Sequence, residues 1–152
     1  MSVYLEDLER GAEFTSAGRT ITDADIMGFA GVSGDFNELH TNDEWVRANT
    51  PFTGRIAHGL LVLSIASGLR TPVIDELAVI AYLNVERSFT GPTYVGDTIT
   101  ALWRVDEVRP SRSRPGCGVV TLDVEVRKAG GAVVQRGRDV NLVACRPQQA
   151  AA

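Results

Sequence analysis

Apolar positions along the chain follow two different periods, and the change between them divides the protein. Up to Leu69 they recur at helical spacing, and from Val79 onward they alternate. Ile26, Phe29 and Ala30 fall on one helical face, and Thr22 with Asp25 three residues on predicts a capped start for a helix that ends around residues 31–34. Asn42 or Asp43 can cap a second short helix through Trp45, Val46 and Ala48, which stops at Thr50 because the residue before Pro51 disfavours helical geometry. From His58 to Leu69 the chain is apolar nearly all round, which predicts a helix buried on every face.

Four later stretches read as strands: Val79 to Phe89, Asp97 to Val108, Gly118 to Arg127 and Ala132 to Ala144. In the third, Val120, Leu122, Val124 and Val126 alternate with Thr121, Asp123, Glu125 and Arg127, the mark of a sheet with one buried face. Residues 1–19 read as a short strand or extended arm and residues 146–152 as a disordered tail. Helices first and a long antiparallel sheet after them predict an α+β fold. A curved sheet wraps a central apolar helix at about 58–69, in a single domain over 1–152.

Composition narrows the function classes. A length of 152 residues fits one domain. The 44% hydrophobic and 22% charged content is near the globular average, so neither disorder nor a membrane span is indicated. The first residues lack the basic-then-apolar order of a signal peptide, which points to a cytoplasmic protein. Cys117 and Cys145 are too few for a disulfide framework, have no metal-ligand spacing and read as packing residues. A net charge of −4 argues against nucleic-acid binding.

Candidate chemistry concentrates in Ser33 to Asn42. Asp35 stands five positions before His40 in a segment rich in turn formers, and a turn can aim both side chains at one point. An Asp and a His sharing one water form an acid/base pair suited to adding or removing water across a double bond. The plainer alternative is a capping Asp beside a solvated His. His58 reads as a hydrogen-bonded structural residue, and two histidines without clustered cysteines leave no metal site. Arg104, Arg109, Arg112 and Arg114 form a basic stretch, by default a solvated turn, although arginine grips phosphate through a planar fork.

Three segments carry a resemblance. Ser33-Gly34-Asp35-Phe36-Asn37-Glu38-Leu39-His40, then Gly54-Arg55-Ile56-Ala57-His58-Gly59-Leu60, then the turn Phe89 to Thr98 with Gly96-Asp97-Thr98, are similar in type and order to motifs of the MaoC-like dehydratases, or (R)-specific enoyl-CoA hydratases. The resemblance covers about residues 20–145 and implies a hot-dog fold. It also implies hydration of a trans-2-enoyl thioester to the (R)-3-hydroxyacyl thioester, or the reverse dehydration, with Asp35 and His40 as the catalytic pair. By the same resemblance Asn37 orients the loop and contacts the water. Ser64 holds the Asp35 carboxylate, and the Gly59 amide is an oxyanion donor at a helix N-terminus. Phe52, Gly54, Ile56 and His58 are expected to line the substrate site, with Arg112 and Arg114 as candidates for the coenzyme A phosphates. No cofactor beyond the substrate's own coenzyme A is expected.

Two departures from the motif stand out: Glu38 replaces a proline, and Asn42 replaces an aspartate. Expected partners are an acyl-CoA or acyl carrier protein thioester and a second copy of the chain, in a homodimer that covers the sheet edge. Three other readings are a mesaconyl-CoA-type hydratase of short branched dicarboxylic thioesters, a non-catalytic acyl-binding subunit, and a hot-dog thioesterase. The last usually carries a carboxylate on its central helix, and residues 58–69 contain none.

Overall fold

Apolar residues of the N-terminal arm find partners rather than solvent. The computed structural model describes residues 2–147. In it Leu5 and Leu8 are buried, and strands β1 (Glu13–Thr15) and β2 (Arg19–Thr20) follow them. Helix α1 (Asp23–Ser33) starts on the expected capping box: the Asp25 N–H donates to Thr22 Oγ1 at 3.2 Å, and the Thr22 N–H donates to Asp25 Oδ2 at 2.8 Å. Gly34 ends it in the left-handed region at φ 76°, where glycine is free of the Cβ penalty. Then come α2 (Glu38–Thr41), α3 (Asp43–Asn49), α4 (Gly59–Gly68) and α5 (Pro72–Glu76). The last, short and started by Thr71-Pro72, was not legible in the periodicity.

The long strands are β3 (Val79–Phe89), β4 (Thr98–Pro110), β5 (Cys117–Lys128) and β6 (Val133–Ala144), within two residues of the alternation at every end. All pairings among the six strands are antiparallel, in the order β1-β4-β5-β6-β3, with β2 also on β4. β3 is therefore a free edge. One cluster joins Leu61, Val62, Ile65 and Ala66 of α4 to inward rows of β4 and β5 such as Ala101, Trp103, Leu122 and Val124.

Two expectations need correction. α4 is not buried on every face: Leu60 is 60% exposed and Ser64 and Ser67 are open, because the sheet covers one side only. Part of the expected tail is also held, since the Arg146 N–H donates to Glu6 and its guanidinium pairs with Asp7. Residues 148–152 lie outside the described residues. Cys117 and Cys145 are free thiols, and Cys145 packs against the core.

Candidate active site

Ser33 to Asn42 folds as two turns that use their own side chains as caps. The Asn37 N–H donates to Asp35 Oδ1 at 3.1 Å, and the Leu39 N–H donates to Asn37 Oδ1 at 2.9 Å, which starts α2 and carries His40 inward. The two departures from the motif meet here. Asn42 Nδ2 donates to Glu38 Oε1 at 3.4 Å, while Asn42 Oδ1 caps α3 by accepting from the Trp45 N–H. Glu38, in place of the ring that would have stiffened the turn, ties it through a side-chain bond.

His40 is 9% exposed, and its Nδ1 lies 2.7 Å from the Ile56 carbonyl. A carbonyl only accepts, so Nδ1 carries the hydrogen and the neutral ring keeps its lone pair on Nε2. That nitrogen faces Asp35 Oδ2 at 3.9 Å. Burial holds the His40 pKa below its ordinary value; the Ile56 carbonyl opposes this, the neighbouring His58 adds to it, and Asp35 opposes it.

Beneath the pair lies His58, 3% exposed and stacked on His40 with ring centroids 3.7 Å apart, its other side against Phe29. Its Nε2 donates to the Asp35 backbone carbonyl at 3.0 Å, so it fixes the loop from below, and its Nδ1 has no partner among the described residues. One ligand atom each from Asp35, His40 and His58 falls within 4.8 Å of the others. The two rings are only 27° from parallel. With Nδ1 of His40 and Nε2 of His58 each hydrogen-bonded to a backbone carbonyl, the lone pairs left on the neutral rings are those of His40 Nε2 and His58 Nδ1.

A cavity of about 770 Å³ opens over the pair, lined by Asp35, His40, Phe52, Ile56, His58 and Gly59 among others. Gly59 is the first residue of α4, where N–H groups lack partners within the helix. A Cβ there would sit 2.9 Å from the Phe89 ring, so any larger residue at the helix start would have to displace that ring. Sequence reasoning missed Gln135. It is 2% exposed, lines the same cavity and donates from Nε2 to the Gly59 carbonyl at 2.7 Å. The hint was a glutamine at an inward position of β6, where alternation calls for an apolar residue.

Five expected site residues lie elsewhere or act differently. Ser64 points outward and donates to its own helix at the Leu60 carbonyl, 2.8 Å away, so it does not hold Asp35. Gly54 lines a separate depression with Asp43 and Arg55; a Cβ would lie 3.0 Å from Asp43 Oδ1, which clamps that loop by accepting from Arg55. Arg112 and Arg114 sit on the β4–β5 turn. Cys117 beside it pairs with Ala144, nine residues along β6 from Gln135, so this turn is about 30 Å from the cavity of its own chain at ~3.4 Å per residue. Asn37 orients the loop as expected, but its side-chain oxygen is used as a helix cap.

A family model described as MaoC like domain matches residues 9–128. The chain belongs to the MaoC-like dehydratase family. A protein of Rhodospirillum rubrum named (R)-specific enoyl-CoA hydratase is 33% identical over 135 residues, 87% of this chain and 86% of that protein. The solved structure of an (R)-hydratase from A. caviae superposes with a TM-score of 0.74 at 32% identity, covering 93% of this chain and 99% of that one. A Mycobacterium tuberculosis protein described as a double hotdog fold aligns with a TM-score of 0.84 and 22% identity, over 99% of this chain and 47% of that one. The family and the curved sheet around α4 identify the hot-dog fold.

Proposed function

We propose that the protein hydrates trans-2-enoyl-CoA to the (R)-3-hydroxyacyl thioester, or runs the reverse dehydration, as a hydro-lyase whose acid/base pair is Asp35 and His40. One observation carries the reading: Asp35 Oδ2 and the unprotonated Nε2 of His40 face each other at 3.9 Å on the wall of an apolar cavity. An oxygen placed about 2.8 Å from each fits between them and gives one hydrogen to each acceptor. Its lone pairs are then left for carbon.

Asp35 takes one proton as the oxygen bonds to C3. The π electrons move through C2 onto the thioester oxygen, where the Gly59 N–H and the start of α4 stabilise the developing charge. The proton taken by Asp35 is delivered to C2, so the elements of one water are added and the pair returns to its starting state. His40 must be neutral to accept, and its burial favours that form.

The free edge supports a homodimer. β3 pairs with β6 on one side and exposes Val79, Ile80, Leu83 and Val85 at 44–51% along a strand whose other edge has no partner among the described residues, and antiparallel pairing of that edge with a second copy covers these apolar side chains. Among the described residues no helix is long and apolar enough to cross a membrane.

The test is loss of the enoyl-thioester absorbance with crotonyl-, octenoyl- and mesaconyl-CoA, run beside Asp35→Asn. Turnover should fall about 10²- to 10⁴-fold in the variant. Full turnover by Asp35→Asn rejects Asp35 as base, and no turnover of any enoyl thioester by the natural chain rejects the hydratase reading.

A further inference from the structure

Ile56 holds His40 by its carbonyl, and what holds Ile56 lies outside the cavity. Residues 50–58, between α3 and α4, have no helix or strand of their own beyond one bridge from Ile56 to Tyr94, so neighbouring groups set their position. Three consecutive N–H groups are engaged. That of Arg55 donates to Asp43 Oδ1 at 2.9 Å, that of Ile56 to the Leu39 carbonyl at 3.2 Å, and that of Ala57 to the Thr93 carbonyl at 2.7 Å. Ile56 thus grips α2 twice, at Leu39 through its N–H and at the His40 ring through its carbonyl.

Asp43, the first residue of α3, closes this arrangement. Besides accepting from the Arg55 N–H it accepts from Arg55 Nε at Oδ2, 3.0 Å away, so both of its oxygens bind one residue. The Arg55 N–H, opposed by desolvation and helped by the guanidinium groups of Arg55 and Arg47, holds the Asp43 carboxyl below the usual carboxylate range. Arg55 also reaches Asp23 at 2.9 Å, so one guanidinium, 21% exposed, joins the first residues of α1 and α3. Partly exposed ion pairs of this kind contribute little to stability. Their effect on geometry is direct. The neutral His40 ring carries one hydrogen, and the Ile56 carbonyl at 2.7 Å keeps it on Nδ1. Were that carbonyl to retreat, the Asp35 carboxylate facing Nε2 would draw the hydrogen to that nitrogen and abolish the acceptor there.

We propose that Asp43 and Arg55 are positioning residues: by fixing the Ile56 carbonyl they keep the lone pair of His40 on Nε2. The use of that lone pair in catalysis rests on the hydratase reading, but its place on the ring does not.

Nitrogen NMR of histidine-labelled protein reads the tautomer without substrate. The two histidines of the natural chain should carry their hydrogens on opposite nitrogens, His40 on Nδ1 and His58 on Nε2. In Asp43→Ala the His40 signals should move toward the Nε2–H form, and kcat for enoyl-CoA hydration should fall about ten- to a hundredfold with KM little changed. The acid limb of kcat/KM should move to lower pH, because the Ile56 carbonyl raises the pKa of the ring; the titratable groups facing His40, Asp35 on its own loop and His58 at the start of α4, are unchanged in this variant. Asp43→Asn keeps an oxygen for the Arg55 N–H and should recover most of the tautomer and of kcat, with thermal melts confirming that each variant folds. Nε2–H on His40 in the natural chain overturns the proposal, as does an unchanged tautomer in folded Asp43→Ala, a lowered Tm with tautomer and kcat intact, or an equal loss in Asp43→Asn. If Asp43→Ala does not fold, Arg55→Gln decides by the same two readouts, and no change in either overturns the proposal. A chain whose tautomer responds as expected yet turns over no enoyl thioester keeps the clamp and loses the hydratase reading.

Discussion

The concave face of the sheet has two halves with opposite characters. On β4 and β5 the inward rows are Ile99, Ala101, Trp103 and Val105 with Val120, Leu122, Val124 and Val126, all buried and sealed by one stripe of α4. On β6 and β3 the same face carries Gln135, Asp139, Asn141 and Arg87 among Val143, Val85 and Phe89, flanked by cavities and by a free edge. The first half fits the transfer logic of a core, where every methylene removed from water stabilises. The second accepts desolvated polar groups and open space, which lower stability unless they serve a ligand. One sheet thus supplies an apolar base and a partly polar wall, and α4 sits on the base while its first turn touches the wall.

Substitutions on the two sides should separate stability from activity. The largest effect expected is on the base: Trp103→Ala, at 3% exposure, should cost about 3–5 kcal/mol in denaturant unfolding. A loss under 1 kcal/mol would show that the aliphatic half is not the core it looks like. On the wall, Gln135→Leu frees the Gly59 carbonyl while filling similar volume. Loosening the backbone beside the N–H proposed as oxyanion donor, through the adjoining Gly59–Leu60 peptide, should lower kcat about tenfold with KM little changed, and a change confined to KM would assign Gln135 to substrate binding alone.

The smallest effect is a pH dependence set by His40. Because its folded pKa lies below the ordinary 6.5, the unfolded chain takes up the proton first as pH falls. Above that value both states are neutral and the residue contributes no slope; below it, stability declines until the folded pKa is passed. The same proton removes the acceptor on Nε2, so kcat/KM should show an acid limb centred below pH 6.5 that disappears in His40→Gln if residual activity is measurable. A limb centred above 6.5 would contradict burial as the dominant influence.

Much of this was legible before any tertiary contact was known. The strand bounds to within two residues, the Thr22–Asp25 capping box and a cap at Asn42 or Asp43 came from local rules, since periodicity and capping act within a few residues of each other. Asp35 and His40 were visible because five residues separate them and one turn can join them. Ser64 was misplaced because its serine lies on a helix of nearly uniform hydropathy, where nothing local says which face meets the sheet. Arg112 and Arg114 were joined to the site by their chemistry alone, and the length of β6 separates them from it.

By itself the sequence determined the long elements, the family motifs and the loop that holds the pair. Tertiary structure alone decided that Gln135 meets Gly59 across 76 residues, that His58 stacks beneath His40, and that a polar row lines one half of the groove. The physical reason is range: dihedral preferences and caps are set between near neighbours. Which side chains share a cavity depends on strand register and on the one face that α4 turns to the sheet, and both are fixed only when distant segments pack.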